Sequence, residues 1–144
     1  MKPAKQTLIF LVDDDALFLK LLALEFQSHT DYNIETFATA ELCLANLSKN
    51  PDLIVLDYNL NSINSKAING IETLDKIMEF NPTIPVVMLS SQDKIDVAIN
   101  CMHHHAIDYI VKSETAFMRL QKTIGEVFRF HKIEKTLNWY MQRV

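Results

Sequence analysis

Four short runs of unbroken apolar residues punctuate the chain: Leu8-Ile9-Phe10-Leu11-Val12, Leu53-Ile54-Val55-Leu56, Val86-Val87-Met88-Leu89 and Tyr109-Ile110-Val111. Apolarity without alternation marks strands covered on both faces, as in a parallel sheet. Ile34 to Phe37 is a weaker fifth candidate. Between the runs lie segments of helical periodicity: Ala16 to His29, Ala40 to Lys49, Ile71 to Phe80, Ile95 to Met102, and a long one from Thr115 onward. In the first of these, Leu17, Leu21, Leu22, Leu24 and Phe26 form an apolar stripe at helical spacing. Pro51, Pro82 and Pro85 stand just before strands, where a helix must already have ended. Strand and helix alternate five times, which predicts an α/β domain whose right-handed crossovers place helices on both faces of a parallel sheet.

At 144 residues the chain has the size of one domain and needs neither disulfides nor a structural metal to hold its core. Cys43 and Cys101 are too few and too isolated for a disulfide framework or a zinc site, and read as reduced core thiols. Fourteen Lys and Arg against eighteen Asp and Glu give a net charge of −4, with no basic run able to track a phosphate backbone, so direct nucleic-acid binding is disfavoured. No apolar stretch approaches a membrane span and the N-terminus leads into no signal-peptide core; a cytoplasmic protein is expected. The segment Tyr58 to Gly70, rich in Asn and Ser, reads as a long, mobile loop.

In open parallel sheets, ligands bind beyond the carboxyl ends of the strands. Here the first run ends in Asp13-Asp14-Asp15, the third strand in Asp57, the fourth in Ser90-Ser91 and the fifth in Lys112. Two carboxylates about 5 Å apart repel by roughly 3 kcal/mol at an effective dielectric near 20, so such a cluster calls for a hard divalent cation such as magnesium. Lys112 then offers a point charge and Ser90 a hydrogen bond to an incoming phosphoryl group. The chemistry suggested is phosphoryl transfer onto a carboxylate.

These residues resemble the receiver domain of two-component response regulators, over about residues 6 to 130. Asp13 and Asp14 match the family's acidic pair, Asp57 its phosphoacceptor, Ser90 its hydroxyl, Lys112 its lysine and Tyr109 its switch aromatic. The resemblance implies a flavodoxin-like, doubly wound five-stranded sheet of order 2-1-3-4-5. It implies a histidine kinase or phosphotransfer protein as phosphoryl donor, and Mg2+ held by Asp14, Asp57 and the main-chain carbonyl of Asn59, with Asp13 supporting. Ser90 and Tyr109 would then form the switch, and the surface from Ile95 to Tyr109 would contact a downstream protein. The chain departs from the family in three places. Asn61 stands where Pro is usual and Gly70 comes about five residues late, so the loop beside the acceptor is enlarged. Ser113 replaces the Pro usually joined by a cis bond; because a cis bond to Ser costs about 3–4 kcal/mol, a trans bond is expected. His105 replaces a small residue before Ala106.

Some residues invite plainer readings. Asp15 suits the N-cap of the first helix, and His103-His104-His105 suits a solvated or dipole-complementing helix end better than a metal site. His29 and His131 read as surface residues, and Met78, Met88, Met102 and Met118 as core filler. Phe117, Leu120, Ile124, Val127, Phe130, Ile133, Leu137, Tyr140 and Val144 recur at steps of three or four, as one helical stripe does. A helix from Glu114 to Val144 would be roughly 46 Å long, too long for its own sheet to cover. It either breaks near His131 and folds back, with Gly125 a weak point, or protrudes to form a homodimer or meet a partner. The expectation is a receiver domain over residues 1–130 with a C-terminal helical extension over 131–144. It would be a stand-alone phosphorylation switch without an output domain, catalysing only its own phosphoryl transfer and loss. The alternatives are a receiver-like interaction module that is never phosphorylated, or a small phosphatase using Asp57 as nucleophile. Asp57-Tyr58-Asn59 lacks the second acid that a phosphatase needs to protonate its leaving group.

Overall fold

The computed structural model describes residues 6–61 and 66–143. Strands β1 (Leu8–Val12), β2 (Asn33–Phe37), β3 (Leu53–Asp57), β4 (Val86–Ser90) and β5 (Asp108–Val111) alternate with helices α1 (Ala16–His29), α2 (Ala40–Ala45), α3 (Gly70–Phe80), α4 (Ile95–His103) and α5 (Ala116–Gln142). All pairings are parallel and the order is β2-β1-β3-β4-β5. This is the doubly wound, flavodoxin-like sheet the sequence predicts.

Side chains alternate between the faces of the sheet, and each face has its own core. Phe10, Val12, Ile54, Leu56, Val86 and Met88 meet α2, α3 and α4 on one side. On the other, Ile9, Leu11, Leu53, Val55, Val87 and Leu89 meet α1 and α5. Burial on both faces is why β1 is apolar throughout and β3 and β4 are apolar up to the Asp57 and Ser90 that end them. At the edge, β2 keeps only Phe37 buried, hence its weak signal. Cys43 and Cys101 are free and buried, and burial pushes their thiols up to about 12 and about 11, so both stay protonated at neutral pH.

Several expectations need correction. Along α1 the buried residues are Leu19, Leu22 and Phe26, while Leu17, Leu21 and Leu24 face solvent. The stripe is therefore turned by about a third of a turn from the expected one: α1 caps on Asp15, whose side chain accepts from the Phe18 amide at 3.1 Å, and the sheet then fixes which face is covered. The segment expected to be one helix over Ala40 to Lys49 ends its α-helical part at Ala45 and closes in a 3-10 turn, Leu47–Lys49, before Asn50 at φ 58°. Met88 is core and Met78 packs against it, but Met102 and Met118 are exposed. Helix α5 runs without a break through Gly125 and His131, so the fold-back does not occur. The Lys112–Ser113 bond is trans, as expected. Residues 62–65 of the long loop and Val144 of the stripe lie outside the described residues.

Candidate functional site

The ladder continues past the strands and lines up their carboxyl ends. The Asp13 amide donates to the Phe37 carbonyl at 3.1 Å, the Tyr58 amide to Leu89 at 2.8 Å and the Lys112 amide to Ser90 at 2.7 Å. Asp57 pairs with Leu89 across β3 and β4, and Ser90 with Val111 across β4 and β5. The register thus brings the candidate residues from four strands to one edge.

Asp13, Asp14 and Asp57 each place a carboxylate oxygen within 4.8 Å of the others. Asp13 and Asp57 are almost fully buried, at 3% and 2% exposure. Lys112 Nζ lies 2.8 Å from Asp13 Oδ2 and 3.3 Å from Asp57 Oδ1. Its ammonium also sits 4.7 Å from the centre of the Phe18 ring, a contribution of α1 that the sequence did not single out. Asp13 Oδ1 accepts the Asp15 amide at 2.9 Å and Asp57 Oδ1 accepts the Asn59 amide at 3.2 Å. Asp13 Oδ2 is a buried atom with an ion pair to Lys112 but no hydrogen bond of good geometry.

The two buried carboxylates, Asp13 and Asp57, share the one Lys112 ammonium. Burial pushes the Asp57 carboxyl up from 3.8 to about 7, and the Asp13 charge adds to the rise; Lys112 and the Asn59 amide oppose it without cancelling it. For Lys112, burial would lower the pKa, but Asp13 and Asp57 outweigh it and the ammonium is held more firmly than usual. Three hard carboxylate donors within 4.8 Å of one another, two of them buried and sharing one ammonium, fit a divalent cation of the magnesium type.

Ser90 is fully buried, its Oγ accepting the Gln92 amide at 3.0 Å. The Tyr109 hydroxyl donates to the Gln92 carbonyl, and its half-buried ring packs against the α4-side core. Gln92 is thus held from both sides, a link that sequence alone did not show. Gly70 opens α3 against the end of β3, where a Cβ would fall 2.5 Å from the Asp57 carbonyl oxygen. Of the three histidines, His104 Nδ1 meets Asp75 Oδ1 at 2.8 Å, tying α4 to α3. His105 takes a positive φ of 78°, closing α4 where Gly is the usual choice.

Fold and site together define a doubly wound α/β domain with an acidic cation pocket at the carboxyl edge of its sheet. The chain belongs to the response regulator receiver domain family, whose model matches residues 9–124. It is 36% identical over 108 residues to the protein-glutamate methylesterase/protein-glutamine glutaminase of Bacillus licheniformis, a match spanning 71% of this chain and 28% of that protein. It is 33% identical over 82 residues to the transcriptional regulatory protein ZraR of Klebsiella oxytoca, spanning 57% of this chain and 18% of ZraR. The chain therefore spans less than a third of the length of these curated relatives. Among solved structures it superposes with a TM-score of 0.73 on a chain of the CheX–CheY–BeF3–Mg2+ complex of Borrelia burgdorferi, at 28% identity, covering 85% of this chain and 89% of that one. Among the described residues no helix is long and apolar enough to cross a membrane.

Proposed function

We propose that this chain is a cytoplasmic phosphorylation switch that accepts a phosphoryl group on Asp57 from a histidine kinase or phosphotransfer protein and signals by protein–protein contact. The observation that carries the reading is the Asp13, Asp14 and Asp57 cluster, with Lys112 shared between Asp13 and Asp57. The Borrelia complex, which holds BeF3 and Mg2+, supports it. Asp14, Asp57 and the Asn59 main-chain carbonyl would hold Mg2+, with Asp13 supporting. Bound there, the cation supplies positive charge that neutralises phosphoryl oxygens and the carboxylates.

A carboxylate oxygen of Asp57 attacks phosphorus while the bond from phosphorus to the donor's imidazole nitrogen breaks, leaving an acyl phosphate. Lys112, placed by β5 and steadied over Phe18, provides a fixed positive charge beside the transferred group. Ser90 donates its hydroxyl to a phosphoryl oxygen. Its Oγ then leaves the Gln92 amide, and the clamp that joins Ser90, Gln92 and Tyr109 is reset. Tyr109 is half-buried against the α4-side core, so the switch would act on how firmly its ring and hydroxyl are held there. The adjoining surface, where Ile95, Ile99 and Met102 are exposed, is the assigned output face.

The test is mass analysis after incubation with acetyl phosphate and magnesium. One added phosphoryl group on the peptide containing Asp57, lost in Asp57→Asn, is expected. A chain that stays unmodified, with or without a purified phosphotransfer protein as donor, overturns the proposal and leaves a receiver-like interaction module.

A further inference from the structure

Helix α5 has two apolar faces where one was expected. Leu120 and Ile124 are buried, and Val127 and Phe128 pack on the α1-side core. From Arg129 to Arg143 every residue is exposed. The steps Ile124 to Val127, Val127 to Phe130 and Phe130 to Ile133 are all three residues, and each turns the apolar face by roughly 60°. As a result the face formed by Phe130, Ile133, Leu137 and Tyr140 is centred roughly 140° from the face that packs on the domain, with Phe130 at its near edge, where it also lines a groove with Met78 and Pro82. Their exposures are 66%, 57%, 56% and 61%.

These four residues repeat at 3-4-3 spacing. Phe130 and Leu137 occupy the a positions, and Ile133 and Tyr140 the d positions, of two heptads. Arg129 is then a g residue, Glu134 the following e residue and Arg143 a later g residue. In a parallel pair, g faces the e′ of the next heptad, so Arg129 meets the other copy's Glu134 twice, once on each side. In an antiparallel pair over the same residues, g faces g′ and e faces e′. Arg129 would then meet Arg143, and Glu134 its own counterpart. Opposite charges match in the first arrangement and like charges meet in the second.

We infer that this face pairs with the same face of a second copy of this chain, as a parallel, in-register two-stranded coiled coil. The pairing is isologous, so one seam satisfies both partners. The large angle between the two faces of α5 sets the two domains on opposite outer sides of the helix pair. The seam lies apart from the acidic cluster, and the inference stands whether or not Asp57 accepts a phosphoryl group.

Sedimentation equilibrium on the full, unphosphorylated chain tests it. The chain should form dimers, and Ile133→Asp with Leu137→Asp should give monomers; at a dilution where the parent chain is also monomeric, the two should unfold at the same urea midpoint, since both residues are exposed on the single chain. Arg129→Glu or Glu134→Arg alone should raise the dissociation constant roughly five- to tenfold by placing like charges on both flanks. The two changes combined should restore it. A full chain that stays monomeric at roughly hundreds of micromolar overturns the inference. So does a dimer that survives the aspartate pair, or one that the combined charge exchange fails to restore.

Discussion

The same substitution at the chain's two glycines should act in opposite directions. At Gly70, an added Cβ falls 2.5 Å from the Asp57 carbonyl oxygen, 2.7 Å from Tyr58 Cα and 2.7 Å from the Tyr58 carbonyl oxygen. All three are backbone atoms, so no side chain can swing aside. The Tyr58 amide is tied to Leu89 and the Gly70 amide to Tyr58, at 2.8 and 3.1 Å. Ordinary contact requires the start of α3 to retreat by about 1 Å, and overpacking of this kind costs about 1–3 kcal/mol. Alanine's better helix propensity returns less than about 1 kcal/mol. Gly70→Ala should therefore lose about 1–2 kcal/mol net. At Gly125 nothing lies within 4 Å and the residue is inside α5, so Gly125→Ala should gain about 0.5–1 kcal/mol. Urea unfolding of both variants beside the parent chain separates the two, with unchanged m-values required for the comparison. If Gly70→Ala is neutral, or Gly125→Ala is as harmful, the close approach of α3 to the acceptor strand is not what selects glycine at residue 70.

Asp57→Asn should stabilise the fold in a pH-dependent way. Because the folded-state pKa is raised from 3.8 to about 7, the native state binds the proton more tightly, and stability falls as pH rises between those values. The variant should match the parent near pH 4 and exceed it by about 2–4 kcal/mol at pH 8; a constant difference across that range in urea titrations contradicts the assignment. Magnesium should raise the melting temperature, by about 2.7 kcal/mol of stability at 100 times its dissociation constant, and should do so less in Asp14→Asn; equal melting in magnesium and in chelator counts against the cation site. His105→Gly should add about 0.5–1.5 kcal/mol in the same urea assay by relieving the positive φ, and a loss of stability would show that the His105 side chain contributes more than its backbone costs.

The elements of this fold were legible where burial was two-sided. Unbroken apolar runs gave β1, β3 and β4 to within a residue, because both faces of those strands are covered. The acidic pair, Asp57, Ser90 and Lys112 were legible because the strand ends must converge in a parallel sheet. What could not be read locally was anything set by a neighbour. The rotation of α1 depends on how the sheet receives it, and Leu17, Leu21 and Leu24 are as apolar as the residues that are buried. The Phe18 ring under Lys112 and the Gln92 clamp join residues far apart in sequence. The turn of the apolar face along α5 was in the sequence all along, in three successive three-residue steps. Steps of three and four both keep an apolar residue near the last one, and only the sum of their opposite rotations shows that the face turns.

The two buried acids of the site are not equivalent, and their contacts say why. Each accepts one backbone amide, Asp13 at 2.9 Å and Asp57 at 3.2 Å, and each shares the same ammonium, at 2.8 and 3.3 Å. At an effective dielectric near 20 the half-ångström difference to Lys112 is worth about 1 kcal/mol in favour of the Asp13 pair. The shorter amide contact favours Asp13 as well. Burial, with the Asp13 charge adding to it, pushes the Asp57 carboxyl up to about 7, and the more distant Lys112 ammonium does not cancel the rise. The protein thus leaves the charge of the candidate acceptor less satisfied than that of its neighbour. Satisfying Asp57 with a second fixed ammonium would stabilise the fold, yet it would fill the space and cancel the charge that a divalent cation requires. The cost in stability near neutral pH and the capacity to bind a cation there are two consequences of the same weakly paired carboxylate.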